Sequence, residues 1–208
     1  DDAEKFKDNL KASNGIILVT GPTGSGKTTT LYAGVAEVND PEIKLITVED
    51  PVEYEIRGLV QCQVNEKVGM TFPAALRSIL RQDPDIILIG EIRDQETAGI
   101  AIQSALTGHL VLATAHTNEA AGAITRLIDM GCQPFLLTSS IRAIIGQRLV
   151  RKICATCREQ YEPKAEDLKK MGKRPEEFKG QPFFKGRGCS ECALTGYRGR
   201  IGLYEVLV

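Results

Sequence analysis

The chain has no tryptophan, five tyrosines, six phenylalanines and two histidines in 208 residues. Its formal net charge is −1. It therefore has neither the basic excess nor the aromatic platforms with which proteins track a nucleic-acid backbone and stack its bases. No run approaches the ~18 consecutive apolar residues that a bilayer-spanning helix needs. There is no internal repeat and no low-complexity segment, so repeat architectures drop out. What remains suits one domain, or one domain with a small appendage, and an apolar content of 42% can fill a substantial core.

The stretch that organises the rest is Gly21-Pro22-Thr23-Gly24-Ser25-Gly26-Lys27-Thr28. It fits G-x-x-x-x-G-K-[ST] at every position, with an apolar strand pattern before it and a helical pattern after it. Glycines at 21, 24 and 26 let the backbone turn its N–H groups toward an anion, and the following helix N-terminus adds partial positive charge. Pro22, Thr23, Gly24, Ser25, Gly26, Lys27, Thr28 and Thr29 are the expected nucleotide contacts. Lys27 would reach the β- and γ-phosphates of ATP, and the Thr28 hydroxyl would sit on Mg²⁺. A glycine-containing turn with no ligand is the bland alternative. Strand, loop, Lys-Thr and helix in register weigh against it.

Residues 2–12 are charged, with Phe6 and Leu10 on one face, which predicts a short surface helix. A strand over Ile16 to Thr20 leads into the glycines, and the helix from about Lys27 to Val38 stops at Asn39-Asp40-Pro41. A second strand, Lys44 to Val48, ends in Glu49-Asp50-Pro51. Val52 to Met70 reads as short extended pieces, an excursion from the main sheet. Helical spacing returns with Phe72, Ala75, Leu76, Ile79 and Leu80, and it sets Arg77 and Arg81 on one face. Ile86 to Ile89 is continuously apolar, as in a strand buried on both sides, and delivers Gly90-Glu91-Ile92-Arg93. A helix over about Glu96 to Leu106 precedes Gly108-His109 and a buried strand, Leu110 to Thr114. Asn118 is the expected N-cap of a helix to about Met130, and another helix is predicted from Pro134 to Gly146. Strands alternating with helices predict a parallel sheet covered on both faces.

Glu49 and Glu91 end strands on the edge where such sheets hold their ligands, so they are the candidates for orienting water and holding Mg²⁺. Capping or surface charge is the alternative for each. Gly90 stands where the common second P-loop signature has Asp. His116 follows a buried strand, within reach of a γ-phosphate. His109 precedes the same strand, which predicts a structural role away from the nucleotide. Arg77, Arg81 and Arg93 are either solvated charges or phosphate contacts in this subunit or a neighbour.

Four of the six cysteines form C-x2-C-x31-C-x2-C, with Cys62 and Cys132 apart. Two chelating pairs, Cys154 with Cys157 and Cys189 with Cys192, supply four thiolates for a structural Zn²⁺. Redox-active pairs are the alternative, but neither opens a thioredoxin-like unit. Residues 158–188 are rich in Lys, Glu, Gly and Pro, and a small lobe with a helix around Ala165 to Met171 is expected there.

Five stretches in this order resemble the type II secretion and type IV pilus assembly motor ATPases. They are the loop at 21–28; Ile46-Thr-Val-Glu49-Asp-Pro-Val-Glu53-Tyr; Asp83-Pro-Asp-Ile-Ile-Leu-Ile-Gly-Glu91-Ile-Arg93-Asp; Thr107-Gly-His109-Leu-Val-Leu-Ala-Thr-Ala-His116-Thr-Asn; and the four cysteines. In that family Gly-Glu is the usual ending of the second signature, and both histidines belong to the pattern. The tetracysteine lobe is similar to the assembly and secretion branch. The resemblance implies a RecA-like P-loop core over 1–152, a zinc lobe over 153–193 and a return strand over 194–208. It also implies a cytoplasmic ATP-driven homo-hexamer acting on an inner-membrane platform protein, with a preceding domain that donates arginines and further helices beyond this stretch. Two other classes compete: a zinc-ribbon-bearing nucleic-acid translocase or helicase, and a non-hydrolysing nucleotide switch. The charge and aromatic content weigh against the first, and the intact Glu49 and Glu91 against the second.

Overall fold

A computed structural model of the chain describes residues 2–170, 178 and 181–208. It divides into two compact units, Asp1–Arg148 with Gly202–Val208, and Leu149–Ile201. The first unit starts with α1 (Asp2–Leu10), β1 (Gly15–Thr20) and α2 (Lys27–Val38). Then come β2 (Leu45–Glu49), β3 (Val60–Gln63), α3 (Phe72–Leu80) and β4 (Ile86–Ile89). α4 (Gln95–Leu106), β5 (Leu110–Ala115), α5 (Ala120–Asp129) and α6 (Pro134–Ser140) complete its helical layers. With β6 (Ile141–Ile153) and β9 (Tyr197–Leu207) the strands form one sheet in the order β3-β2-β4-β5-β1-β6-β9. The pairs β1–β5, β1–β6, β2–β3, β2–β4 and β4–β5 are parallel.

The continuous apolar runs follow from burial on both faces. Alternate residues of one strand point to opposite sides. Ile16, Leu18, Ile46, Val48, Ile87, Ile89 and Val111 join the core under α3, α4 and α5. Their neighbours Ile17, Val19, Leu45, Leu88, Leu110 and Leu112 pack with Leu10 of α1 and Leu31, Tyr32 and Val35 of α2. Each fully buried aliphatic side chain of this kind stabilises by about 1.5–3 kcal/mol relative to exposure. Because the strands are parallel, β1, β2, β4 and β5 all deliver their carboxyl ends to the same edge, and the site is built there.

Three expectations are corrected. The segment from Val52 to Met70 is not an excursion throughout, because β3 pairs with β2 from Ile46↔Val60 to Glu49↔Gln63 and becomes the sheet's edge. The helix expected from Pro134 to Gly146 ends at Ser140, and Ile141 begins β6. Ile141, Ala143, Ile144 and Ile145 form a short apolar run, which spacing alone cannot assign to helix or strand, and pairing with β1 decides for the strand. Gly146 permits a close crossing there, since a Cβ would lie 3.1 Å from the Ala120 nitrogen. Finally, the N-cap of α5 is Glu119 rather than Asn118. The Ala120 N–H is satisfied by Glu205 Oε2 of β9 at 3.0 Å, so no local side-chain cap is needed.

The second unit holds a two-stranded antiparallel ribbon of β7 (Arg158–Tyr161) and β8 (Phe183–Gly186), and α7 (Ala165–Lys170). Met171, the expected last residue of that helix, lies outside the described residues. The ribbon carries Tyr161 edge-on to Phe183 at 6.4 Å and the Arg158 guanidinium 3.5 Å over the Phe184 ring. Among the described residues its buried cluster is made of Cys154, Cys157 and Cys192, with Cys189 partly buried beside them. No helix among the described residues is long and apolar enough to cross a membrane.

Candidate nucleotide site and metal centre

The glycine loop between β1 and α2 takes a shape that side chains resist. Gly24 and Gly26 have φ of 76° and 86°, in the left-handed region. At Gly21 a Cβ would lie 2.6 Å from Ser25 Oγ and would also meet the Gln147 carbonyl. Gly26 is the N-cap of α2, and no side chain among the described residues caps that helix. Ser25 Oγ is buried inside the loop without a hydrogen-bond partner among the described residues. An uncapped helix start, an unpartnered buried hydroxyl and open space beyond Gly24 fit a bound anion such as a nucleotide phosphate. Lys27 Nζ arches over the loop and donates to the carbonyl oxygens of Gly21 at 2.9 Å and Pro22 at 3.2 Å. Burial lowers the pKa of this ammonium, and the Glu91 carboxylate pulls the other way.

A cavity of about 260 Å³ opens beside the loop. Thr23, Gly24, Lys27, Thr28, Glu49 and Glu91 line it, with Arg93 and His116 among the others. Lys27 Nζ is 3.4 Å from His116 Nδ1, and His116 Nε2 is 2.8 Å from Glu91 Oε1. An ammonium can only donate, so Nδ1 accepts and Nε2 carries the proton that goes to Glu91. The other oxygen of Glu91 accepts from Arg93 Nε at 2.6 Å, and Arg93 also faces Asp50 at 3.6 Å. Lys27, His116, Glu91, Arg93 and Asp50 thus form one continuous polar chain along the sheet edge.

Glu49 is only 2% exposed, yet it lines the same cavity. Its Oε1 accepts from Thr47 Oγ1 at 2.6 Å and from Gln61 Nε2 at 3.4 Å, and its Oε2 accepts from the Tyr32 hydroxyl. The structure also explains the Gly-Glu ending of β4. A Cβ at Gly90 would lie 3.1 Å from Glu49 Cα and 3.3 Å from the Val48 carbonyl oxygen, so a larger residue there would push on the end of β2.

Not every candidate reaches this cavity. Thr29 borders a separate groove with Phe6, Tyr204 and Val206. Arg77 pairs with Glu96, and Arg81 is exposed at the C-terminal end of α3. His109 lies at the opposite edge of the sheet beside Asp83 and Asp85, with Nδ1 3.0 Å from the Ser104 carbonyl oxygen. Conversely, Tyr32, Thr47 and Gln61 were missing from the sequence-based site. In the sequence Tyr32 reads as one more buried position of α2, and nothing marks it as a neighbour of Glu49.

In the second unit the Sγ atoms of Cys154, Cys157, Cys189 and Cys192 all lie within 4.8 Å of one another. Three of the separations are 3.9, 3.8 and 3.8 Å. Four sulfurs around Zn²⁺ at ~2.3 Å sit about 3.8 Å apart, so the donor set fits a tetrahedral metal of that size. Backbone N–H groups of Cys189 and Gly196 each point at Cys192 Sγ from 3.2 Å. Burial works to raise the Cys192 thiol, but these donors and the neighbouring sulfurs outweigh it and bring the pKa to about 6. Cys157 is pushed up by burial, to about 11. Cys62 and Cys132 are free and belong to the first unit, and burial raises both thiols.

A family model described as "Type II/IV secretion system protein" matches residues 1–208. The type II secretion system protein E of Pseudomonas aeruginosa is 53% identical over 207 residues, which are 100% of this chain and 41% of that protein. The type IV pilus assembly ATPase PilB of Thermus thermophilus is 50% identical over 205 residues, 99% of this chain and 23% of that protein. Among solved structures, the pilus retraction motor PilT with bound ADP superposes with a TM-score of 0.71 at 32% identity, covering 99% of this chain and 50% of that one. The chain thus spans about two-fifths of its type II relative and a smaller share of its pilus relative. With the loop, the carboxylates and the cysteine group in place over its whole length, this chain belongs to the type II/IV secretion system protein family.

Proposed function

We propose that this chain is the ATP-hydrolysing part of a motor that drives type II secretion or type IV pilus assembly. The observation that carries this reading is the polar chain from Lys27 through His116 to Glu91, with the clamped Glu49 across the same cavity. The phosphate tail of ATP lies along the loop from Pro22 to Thr28, where backbone N–H groups and Lys27 neutralise its charge. Thr28 and Glu91 would hold Mg²⁺ and its water shell, which would supply positive charge to the phosphates. Glu49, fixed in one orientation, positions the attacking water. His116 bridges Lys27 and Glu91, so a γ-phosphate that draws Lys27 away alters what Glu91 feels. Arg93 screens Glu91 and supplies a local cation. In the second unit Cys154, Cys157, Cys189 and Cys192 would hold a structural Zn²⁺.

The names of the relatives support the machine, and their greater length supports a larger working unit. In that unit the protein is a cytoplasmic homo-hexamer at the inner membrane, engaged with a platform protein. Arginines from outside this stretch complete the site, and such groups are worth roughly 10³ to 10⁵ in turnover. The test is Mg·ATP turnover and sedimentation of the 208-residue chain beside the full-length P. aeruginosa relative, each with and without single-stranded DNA. The expected result is slow hydrolysis by a monomeric chain, faster hydrolysis by a hexameric relative, and indifference to DNA. DNA-stimulated turnover would favour a nucleic-acid translocase instead.

A further inference from the structure

The phenol of Tyr32 is the least explained polar group at the site. α2 begins with Lys27 and Thr28, and Tyr32 lies four residues after Thr28, on the same face one turn along. Its ring is buried, packed edge-on against Tyr54 with centroids 4.7 Å apart. Its hydroxyl donates to Glu49 Oε2. Burial first, and then the bond to Glu49, hold the phenol pKa above its ordinary value, so the hydroxyl keeps the proton it donates. Gln61 of β3 closes the arrangement from the other side. Its Nε2 reaches Glu49 Oε1 at 3.4 Å, the Tyr32 hydroxyl at 3.5 Å and the Tyr54 carbonyl at 3.2 Å, and its Oε1 accepts from the Ile56 N–H at 2.7 Å.

A buried carboxylate with donors on both oxygens has one orientation, and here the donors come from three different elements. Thr47 belongs to Glu49's own strand, Gln61 to the neighbouring strand and Tyr32 to the helix that starts at the phosphate loop. Among the described residues, only the Tyr32 bond links the helix that follows the phosphate loop to the carboxylate that faces it. We propose that Tyr32 is a positioning residue for ATP hydrolysis, whose hydroxyl locks Glu49 in register with the phosphate loop. This rests on the nucleotide reading above. Tyr32 touches no reacting atom. It acts through Glu49, and Thr47 and Gln61 serve the same carboxylate from the sheet side.

Removing only the hydroxyl isolates the effect, since Tyr32→Phe keeps the ring and its packing against Tyr54. Single-turnover hydrolysis of bound Mg·ATP is measured for wild type, Tyr32→Phe, Glu49→Gln and the double variant, with nucleotide affinity and thermal midpoint alongside. The expected result is a rate about ten-fold lower in Tyr32→Phe, with ATP affinity within about two-fold of wild type. The double variant should be no slower than Glu49→Gln alone, because the hydroxyl has nothing left to position. Thr47→Val, a second deletion of a donor to Glu49, should show the same split between rate and affinity. An unchanged rate in Tyr32→Phe, or independent losses that multiply in the double variant, would overturn the assignment. A wild-type chain that binds ATP but never hydrolyses it would instead overturn the function on which the assignment rests.

Discussion

In the first unit the strands that carry Ile87, Val111 and Leu112 are buried between helices on both faces. In the second, among the described residues, the buried cluster is the cysteines themselves, and the ribbon beside it carries half-buried aromatics. One unit is organised by apolar area, and the other, on the reading proposed above, by a metal's coordination sphere. Their functional groups differ in the same way. The nucleotide site is a set of side chains set on the ends of strands that are rigid for other reasons. The cysteine group would serve as site and scaffold at once. Losing a ligand of the first kind should cost chemistry, whereas losing one of the second should cost structure.

The largest effect that sharpens this contrast is expected from metal removal. Structural Zn²⁺ in small domains contributes about 10–16 kcal/mol of folding free energy. Stripping the metal, or Cys154→Ser, should abolish amide-exchange protection within Leu149–Ile201 and leave β1, β4 and β5 protected. Freshly purified reduced protein should carry one Zn²⁺ per chain, and Cys62→Ser should keep it. Unchanged exchange in the stripped protein would break the comparison.

Next in size is Lys27→Ala. It removes the cation at the phosphate loop and should weaken Mg·ATP binding about a hundred-fold, read by titration calorimetry, with little change in thermal midpoint. Retained affinity would detach Lys27 from the nucleotide.

Smaller again is Gly90→Ala. Its Cβ would press on Glu49 Cα from 3.1 Å, so the end of β2 must give by a few tenths of an ångström. Turnover should fall about ten-fold, at a stability cost of about 1 kcal/mol. A variant with full turnover would show that Glu49 tolerates displacement and that its clamp has no catalytic meaning.

The sequence disclosed the first unit well because its physics is local in the chain. Strands buried on both faces read as short apolar runs, and the phosphate loop needs glycines and a lysine at fixed spacing. The helix Lys27–Val38 and the strand Ile86–Ile89 follow from such patterns. The misreadings came where partners distant in sequence decide. Ile141 to Ile145 became strand by pairing with β1, and Val60 to Gln63 joined the sheet by pairing with β2. α5 lost its expected cap because Glu205, 85 residues on, satisfies Ala120. The same limit applies to the site. Glu49, Glu91 and His116 stand out at strand ends, but Tyr32 and Gln61 become neighbours of Glu49 only once the sheet is assembled.

If this sheet edge hydrolyses ATP through its carboxylates, single-turnover hydrolysis separates wild type from Glu91→Gln. Both proteins are loaded with the same Mg·ATP, and ADP is counted over time. Equal loading is expected, with ADP accumulating on the wild type and ATP persisting on the variant. Equal rates in the two proteins would contradict it.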